Sequence, residues 1–153
     1  MSAPPPKPVA ALSVAPIEDA DTADVVALWQ RCGLTRPWND PAADIALARR
    51  GANAAVLVGR DGSAIVATAM VGHDGHRGWV YYVATDPEHR GKGHGRAIMQ
   101  AAEGWLRQAG IEKLQLMVRP DNTRVQAFYQ SIGYGEQQRI IYAKWLDGRE
   151  LTP

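Results

Sequence analysis

The chain has 153 residues, of which 46% are apolar and 22% are charged, and its formal net charge is +1. This length and composition predict one globular domain with a sizeable core, and they exclude a fibrous repeat or a chain disordered throughout. The near-neutral charge lacks the basic excess of a nucleic-acid-binding domain, so we expect no nucleic-acid partner.

The single cysteine indicates a reducing compartment. Cys32 is the only cysteine, so no internal disulfide can form and a cytoplasmic location is expected. Because no apolar run is long enough to span a bilayer, we expect no membrane partner. The Pro-rich residues 1–10 predict a flexible tail, residues 11–147 the folded domain, and residues 148–153 a C-terminal tail.

The first part of the chain predicts a strand followed by two helices. Residues 12–17 form a short strand, and apolar residues at helical spacing then continue to Gly33, which ends the first helix. Asp40 is a typical N-cap and Pro41 favours the first helical position, so a second helix begins there and stops at Gly51.

The middle of the chain predicts three consecutive antiparallel strands. Residues 54–60 and 63–73 are rich in apolar and β-branched side chains, and the Asp61-Gly62 pair between them predicts a hairpin turn. A second Asp-Gly pair then returns the chain into a third strand over residues 77–86.

The last part of the chain predicts two helices and two strands. A long helix ends at Gly110, and residues 114–118 alternate as a strand parallel to the preceding one, because a helix separates the two. Asn122 or Asp121 caps the last helix, and residues 139–146 predict a final strand, which could pair across a homodimer. The whole order predicts an α/β (mixed α+β) fold, with a mostly antiparallel sheet, helices on both faces and one parallel crossover.

A glycine-rich turn lies at that crossover. Residues 89–96 read HRGKGHGR, in which three glycines alternate with the cations Arg90, Lys92 and Arg96, and no acid is present. Because exposed backbone N–H groups at a helix start form an anion site, this turn predicts phosphate binding.

The spacing of the glycines excludes a P-loop and argues against a dinucleotide-binding turn. A P-loop requires a hydroxyl residue after its lysine, but Lys92 is followed by Gly93. A dinucleotide-binding turn requires a third glycine where this chain has Arg96, and an acid after the next strand where it has Arg119. The glycines alone would also fit a plain surface turn.

Two motifs resemble the GNAT superfamily of N-acetyltransferases, and the resemblance extends over nearly the whole chain. Residues 83–99, VATDPEHRGKGHGRAIM, resemble its acetyl-CoA signature, Arg/Gln-x-x-Gly-x-Gly/Ala, with Arg90, Gly93 and Gly95 in the matching places. Residues 122–134, NTRVQAFYQSIGY, resemble its second motif. The resemblance implies a GNAT-like single domain.

A subgroup is also indicated. Residues 36–41 and 72–83 further resemble the YpeA-like bacterial acetyltransferases.

The resemblance implies an acetyl-CoA-dependent N-acetyltransferase that needs no metal and acts on an amine of a small molecule or a protein. The implied cofactor-binding residues are Val83, Thr85, Arg90, Gly91, Lys92, Gly93, His94, Gly95, Arg96, Asn122 and Tyr129. The implied catalytic groups are the backbone N–H of Val83, which would face the thioester oxygen, and Tyr129, which would protonate the departing thiolate. Spacing alone would instead place Tyr129 in the core of its helix.

The general base is not assigned by the resemblance. Residues 77–85 contain no carboxylate, and Trp79 stands where several family members have a glutamate. The candidates are Glu88, Asp74, His76, Tyr81 or a chain of waters. His73 and His76 flank a tight turn, which favours a solvated hairpin tip over a metal site.

The sequence leaves the acceptor open and allows other functions. The loop at residues 35–41, with Trp38, could recognise an amine or simply support a packed tryptophan. The missing strand carboxylate suggests an alternative, a non-catalytic module that senses acyl-CoA. A nucleotide-binding protein, which rests on the glycines alone, is a third hypothesis.

Overall fold

The computed structural model describes residues 2–3 and 12–152 of the chain, in two compact units. The first unit ends at Met117 and the second begins at Val118. The predicted N-terminal tail, apart from residues 2–3, lies outside the described residues.

The first unit is a five-stranded sheet with three helices. Its elements are β1 (Ser13–Pro16), α1 (Thr22–Arg31), α2 (Pro41–Arg49), β2 (Ala54–Asp61), β3 (Ala64–His73), β4 (Gly78–Thr85), α3 (His94–Gln108) and β5 (Leu114–Gln115). The strands lie in the order β1-β2-β3-β4-β5, antiparallel except for the parallel pair β4–β5. The predicted mixed sheet with one parallel crossover is therefore confirmed.

Helices cover both faces of this sheet. One face shares a core with α1 and α2, formed by Ile17, Val25, Leu28, Trp29, Ile45, Ala48, Val56, Val58 and Ala84. Leu57 is also buried, and strand alternation turns it to the opposite face. Helix α3 packs on β3 and β4, so closely that a Cβ on Gly78 would lie 2.4 Å from Cδ1 of Leu106.

Local sequence signals set the helix ends as predicted. Oδ1 of Asp40 accepts a hydrogen bond from the N–H of Ala43 at 3.1 Å, and Pro41 opens α2. Helix α3 is followed by Gly110 at φ +80°, a left-handed conformation that glycine adopts without steric cost.

The first hairpin turns one residue later than predicted. Asp61 pairs with Ala64 as the last residue of β2, so the two turn residues are Gly62 and Ser63. Gly62 has φ +63° at the first position of the turn, and glycine adopts this left-handed conformation more readily than aspartate does.

Two predictions about the C-terminal strands are wrong. Strand β5 spans only Leu114–Gln115 instead of residues 114–118. Residues 139–146 form no strand, and Ile140 and Tyr142 are 82% and 91% exposed. A strand needs a partner for its backbone groups, and the described part of the second unit contains one helix, α4 (Thr123–Ser131), and no strand that could pair with these residues.

A buried hydrogen bond joins α1 to the middle of the sheet. Nε1–H of Trp29 donates to Oγ1 of Thr68 at 2.8 Å, and neither residue is exposed. The Thr68 hydroxyl in turn donates to the carbonyl of Tyr82 at 2.9 Å. One hydroxyl therefore satisfies two polar groups.

We expect Thr68→Val to lower the free energy of unfolding by about 2 kcal/mol, because it leaves the Trp29 indole N–H buried without an acceptor. Thr68→Ser, which keeps the hydroxyl and loses one methyl, should cost about 1 kcal/mol. Urea denaturation of the two variants measures the difference. A valine variant as stable as the serine variant would contradict this role.

Candidate active site

The glycine-rich turn adopts the open conformation that its glycines permit. Gly91 and Gly93 have φ +79° and +78°, in the left-handed region that other residues rarely enter. Gly93 is also the N-cap of α3, whereas Gly95 lies inside the helix. A Cβ placed on Gly91 would have no atom of the described chain within 4 Å, so this side of the turn is open.

The turn and the start of α3 together form an electropositive surface. The N–H groups of the first helical turn, from His94 to Arg96, have no acceptor within the helix, and this turn contains no acid. Arg90, Lys92 and Arg96 are all exposed around it. Free donors, a helix dipole and three cations are the features that a phosphate group needs, so the turn fits the predicted phosphate-binding site.

The implied role of His94 belongs to its backbone. Its side chain is buried, while its N–H is part of the first turn of α3. Any contact between His94 and a phosphate would therefore come from the backbone N–H.

Asp86 anchors the chain just before the turn. Its Oδ1 accepts from the N–H of Glu88 and its Oδ2 from the Arg31 guanidinium, both at 3.0 Å. At the neighbouring residue of each segment, the thiol of Cys32 donates a hydrogen bond to the carbonyl of Thr85 at 3.3 Å. The end of α1 therefore holds the end of β4, and sequence reasoning missed this because Arg31 and Asp86 are 55 positions apart.

The Asp86 carboxylate predicts a pH-dependent stability. The Glu88 N–H and then Arg31 lower the pKa of Asp86 below its usual value, so the ionised form stabilises the folded state. This contribution is present above the ordinary carboxyl pKa and is lost as the pH falls through the lowered one. We expect Asp86→Asn to reduce the free energy of unfolding at neutral pH and to converge with the wild type in acid. Urea denaturation at both pH values measures it, and a difference independent of pH would contradict the assignment.

Strand β4 contains a bulge beside Val83. Met70 pairs with Tyr81 and Thr68 with Ala84, so two residues of β4 lie opposite one residue of β3. The first of these two is Tyr82, whose φ of +50° makes it the only described non-glycine residue with positive φ. A strained residue in a strand is common at functional sites.

Side chains on the two helices α1 and α2 hold the Tyr82 conformation. Its ring stacks on Trp29 with centroids 3.8 Å apart, and its hydroxyl donates to Asp44 Oδ2 at 2.7 Å. Burial and this carboxylate raise the pKa of Tyr82 far above its usual value. The backbone next to Val83 is thus fixed, a feature that could not be found in the sequence because positive φ at a tyrosine has no local signal.

One edge of β4 is open beyond its start. Strand β5 pairs with β4 only at Gly78 and Trp79. From Val80 to Thr85 that edge has no strand partner among the described residues, so its backbone groups can bind an extended ligand.

Comparison with known proteins identifies the family. The model of the acetyltransferase (GNAT) family matches residues 17–134. The chain belongs to this family. It is similar to an acetyltransferase of Yersinia enterocolitica, with 39% identity over 129 residues that cover 84% of this chain and 92% of the relative. Because the family model and this relative agree, the chain is an N-acetyltransferase.

Solved structures share the GNAT fold. A putative acetyltransferase from Agrobacterium tumefaciens has a TM-score of 0.74 at 20% identity, covering 87% of this chain and 99% of its own. The aminoglycoside acetyltransferase AAC(6')-Iy, solved with a bisubstrate analogue of CoA and acetylneamine, has a TM-score of 0.75 at 16% identity, covering 88% and 98%. The YpeA-like subgroup stays a prediction.

The second GNAT motif lies in the second unit. Oδ1 of Asn122 accepts from the N–H of Val125 at 3.3 Å, which confirms it as the cap of α4. Tyr129 is partly buried and makes edge-to-face contacts with Phe128 and Tyr134, at centroid distances of 5.0 and 5.7 Å. Burial raises the pKa of Tyr129 to about 12, so its hydroxyl keeps its proton at neutral pH.

The candidate bases of this GNAT protein differ in their surroundings. Asp74 lies at the exposed hairpin tip, where its Oδ1 accepts from the N–H groups of His76 and Arg77 at 2.9 and 2.8 Å. These bonds lower the pKa of Asp74 and confirm its role in the turn. Burial raises the pKa of Tyr81, so even less of it is ionised at neutral pH to the phenolate that could accept a proton. The base is therefore still unassigned.

No helix among the described residues is long and apolar enough to cross a membrane.

Proposed function

We propose that this GNAT protein transfers an acetyl group from acetyl-CoA to a primary amine, directly and through a tetrahedral intermediate. The observation that carries this proposal is the turn at residues 90–96, where two left-handed glycines open an acid-free helix start among three exposed cations. Each of these features favours a pyrophosphate.

The pyrophosphate of acetyl-CoA would lie against the N–H groups from Gly91 to Arg96. Gly91 and Gly93 let the phosphate oxygens approach the backbone, and the dipole of α3 points its positive end at them. Arg90, Lys92 and Arg96 add charge at the rim, and each charge-assisted hydrogen bond contributes about 1.5–3 kcal/mol. By the family resemblance, Asn122 would also contact the cofactor.

The pantetheine arm would then extend along the open edge of β4. Its amides can pair with backbone groups such as those of Thr85, as an added strand does. The fixed bulge at Tyr82 would aim the Val83 N–H at the thioester oxygen. A donor held in place there stabilises the oxyanion that develops in the transition state more than it stabilises the ground state.

The transfer itself needs two proton movements. The neutral amine nitrogen attacks the carbonyl carbon, the C–N bond forms, and the C–S bond then breaks with its electron pair on sulfur. A base takes the proton that the amine nitrogen loses, and the Tyr129 hydroxyl supplies a proton to the thiolate. Tyr129 suits this role because its raised pKa keeps it protonated at neutral pH.

The acceptor is proposed to be a small-molecule amine. The proposal is motivated by AAC(6')-Iy, whose bisubstrate analogue joins CoA to an acetylated aminoglycoside. The loop at residues 35–41, where Trp38 is 44% exposed, is the candidate surface for the acceptor. A protein amine would be the other class of acceptor.

The test is a turnover assay with the purified chain and acetyl-CoA. Aminoglycosides, polyamines and short peptides with free N-termini are offered in turn, with thiol release and the product mass as readouts. We expect release of one thiol for each acetyl group gained by a small amine. Tight acetyl-CoA binding without turnover on any acceptor would favour the sensor alternative, which the missing β4 carboxylate suggests.

A further inference from the structure

Three side chains with metal-binding atoms converge beside the glycine-rich turn. Asp61 ends β2, His89 ends the 3₁₀ turn Pro87–His89, and His94 opens α3. One ligand atom from each lies within 4.8 Å of the other two, and Nε2 of His94 is 4.0 Å from Oδ2 of Asp61. Two elements that flank the turn thus meet the end of the first hairpin.

The two histidines present buried nitrogens that lack partners. Within the described part of the chain, neither Nδ1 of His89 nor Nε2 of His94 has a hydrogen-bond partner, and the His94 side chain is 1% exposed. An unsatisfied buried polar atom costs about 1–3 kcal/mol and is rare in folded proteins. The distance of 4.0 Å to Asp61 is too long for a hydrogen bond, so another partner is needed.

An apolar residue would suit the His94 position if packing were its only role. His94 lies on the buried face of α3, one turn before Ile98 and in line with Ala102. A histidine there introduces a polar atom into an apolar face. The buried Nε2 of His94 has a partner if it binds a ligand held between the side chains of Asp61, His89 and His94.

We propose that Asp61, His89 and His94 bind a divalent transition-metal ion, with Zn²⁺ as the best fit and water at the fourth position. Two imidazole nitrogens and one carboxylate oxygen form a donor set that zinc accepts, whereas calcium and magnesium prefer oxygen alone. Tetrahedral zinc with bonds of about 2.0–2.1 Å places its ligand atoms about 3.3 Å apart. The three ligand atoms now lie within 4.8 Å of one another, and movement of the Asp61 side chain, which is 34% exposed, and of the partly buried His89 ring can bring them to that spacing.

The ion would act as a clamp on the turn and takes no part in acetyl transfer. His89 precedes and His94 follows the residues 90–93, so binding would tie both ends of this segment to Asp61. This differs from the expectation, implied by the family resemblance, that the protein needs no metal. The site does not depend on the proposed function, because zinc binding is measured without acetyl-CoA.

Zinc binding to the full chain tests the proposal. The protein is stripped with a chelator and titrated with Zn²⁺ in competition with a chromophoric chelator. We expect one site per chain, affinity weakened about tenfold or more in Asp61→Asn, and no site in His94→Leu. The control His76→Ala, an exposed histidine at the hairpin tip, should bind as the wild type does.

Unfolding midpoints provide a second readout. Without zinc, His94→Leu should be at least as stable as the wild type, because it replaces an unsatisfied nitrogen by an apolar side chain. With zinc, the wild type and His76→Ala should gain the most stability, Asp61→Asn less, and His94→Leu none. The proposal is overturned if the folded wild type binds no zinc. It is also overturned if Asp61→Asn and His94→Leu bind zinc as tightly as the wild type does, or if His76→Ala is the variant that loses zinc binding.

Discussion

Gly93→Asp is expected to weaken acetyl-CoA binding by about 100-fold or more. The new carboxylate would stand at the N-cap of α3, where the pyrophosphate is proposed to bind. It would repel the phosphates and would compete for the first-turn N–H groups, each of which contributes about 1.5–3 kcal/mol in a charge-assisted hydrogen bond. Calorimetric titration of acetyl-CoA measures the effect.

Gly93→Asn is the matched control for this substitution. Asparagine has the same shape and tolerates the left-handed φ of +78° about as well as aspartate does, but it carries no charge. We therefore expect similar unfolding midpoints for both variants and much weaker binding only for aspartate. Equal affinities in the two variants would mean that the phosphates do not contact this turn.

Tyr129→Phe is expected to lower kcat by about 100-fold to 10,000-fold, the usual contribution of a positioned proton donor. The KM for acetyl-CoA should change little, because the substitution removes one hydroxyl and keeps the ring that contacts Phe128 and Tyr134. Tyr142→Phe, at a residue that is 91% exposed, is the control for the loss of a tyrosine hydroxyl. Steady-state kinetics of the two variants, with their unfolding midpoints, makes the comparison.

The pH profile provides an independent check of Tyr129. A proton donor fails as the pH rises through its pKa, and burial raises that of Tyr129 to about 12. The wild-type kcat should therefore not decline between neutral pH and about pH 10, the ordinary tyrosine pKa. If kcat of the wild type declines at a pH below about 10 and that of Tyr129→Phe does not, Tyr129 has a lower pKa than its burial implies. Undiminished kcat in Tyr129→Phe would remove it from the mechanism.

Signals contained in a few adjacent residues allowed most of the fold to be predicted. Asp40 and Pro41 specify a helix start through one hydrogen bond and one fixed φ, and both act as predicted. The glycines at 91 and 93 likewise indicated an open turn, and both adopt positive φ. These features depend on local backbone preferences, which the sequence carries directly.

Features that depend on distant partners could not be predicted in the same way. Residues 139–146 contain the run Ile140, Ile141 and Tyr142, residue types that are common in strands, but such a run supplies no neighbour for the backbone. Arg31 and Asp86 meet across 55 positions, and the positive φ of Tyr82 depends on contacts with Trp29 and Asp44. The cluster of Asp61, His89 and His94 also depends on distant partners, since Asp61 lies in the β2–β3 hairpin and the two histidines flank the glycine-rich turn.

The most direct test of the account compares acetyl-CoA with S-acetylpantetheine and ATP in calorimetric titrations of the wild-type chain. Acetylpantetheine keeps the thioester and the amides but lacks the phosphates, whereas ATP offers phosphates without the arm. We predict that acetyl-CoA binds most tightly and that acetylpantetheine binds about 100-fold more weakly or worse. Equal affinity for acetyl-CoA and acetylpantetheine, tighter binding of ATP, or no binding of acetyl-CoA would contradict the claim that this turn binds its pyrophosphate.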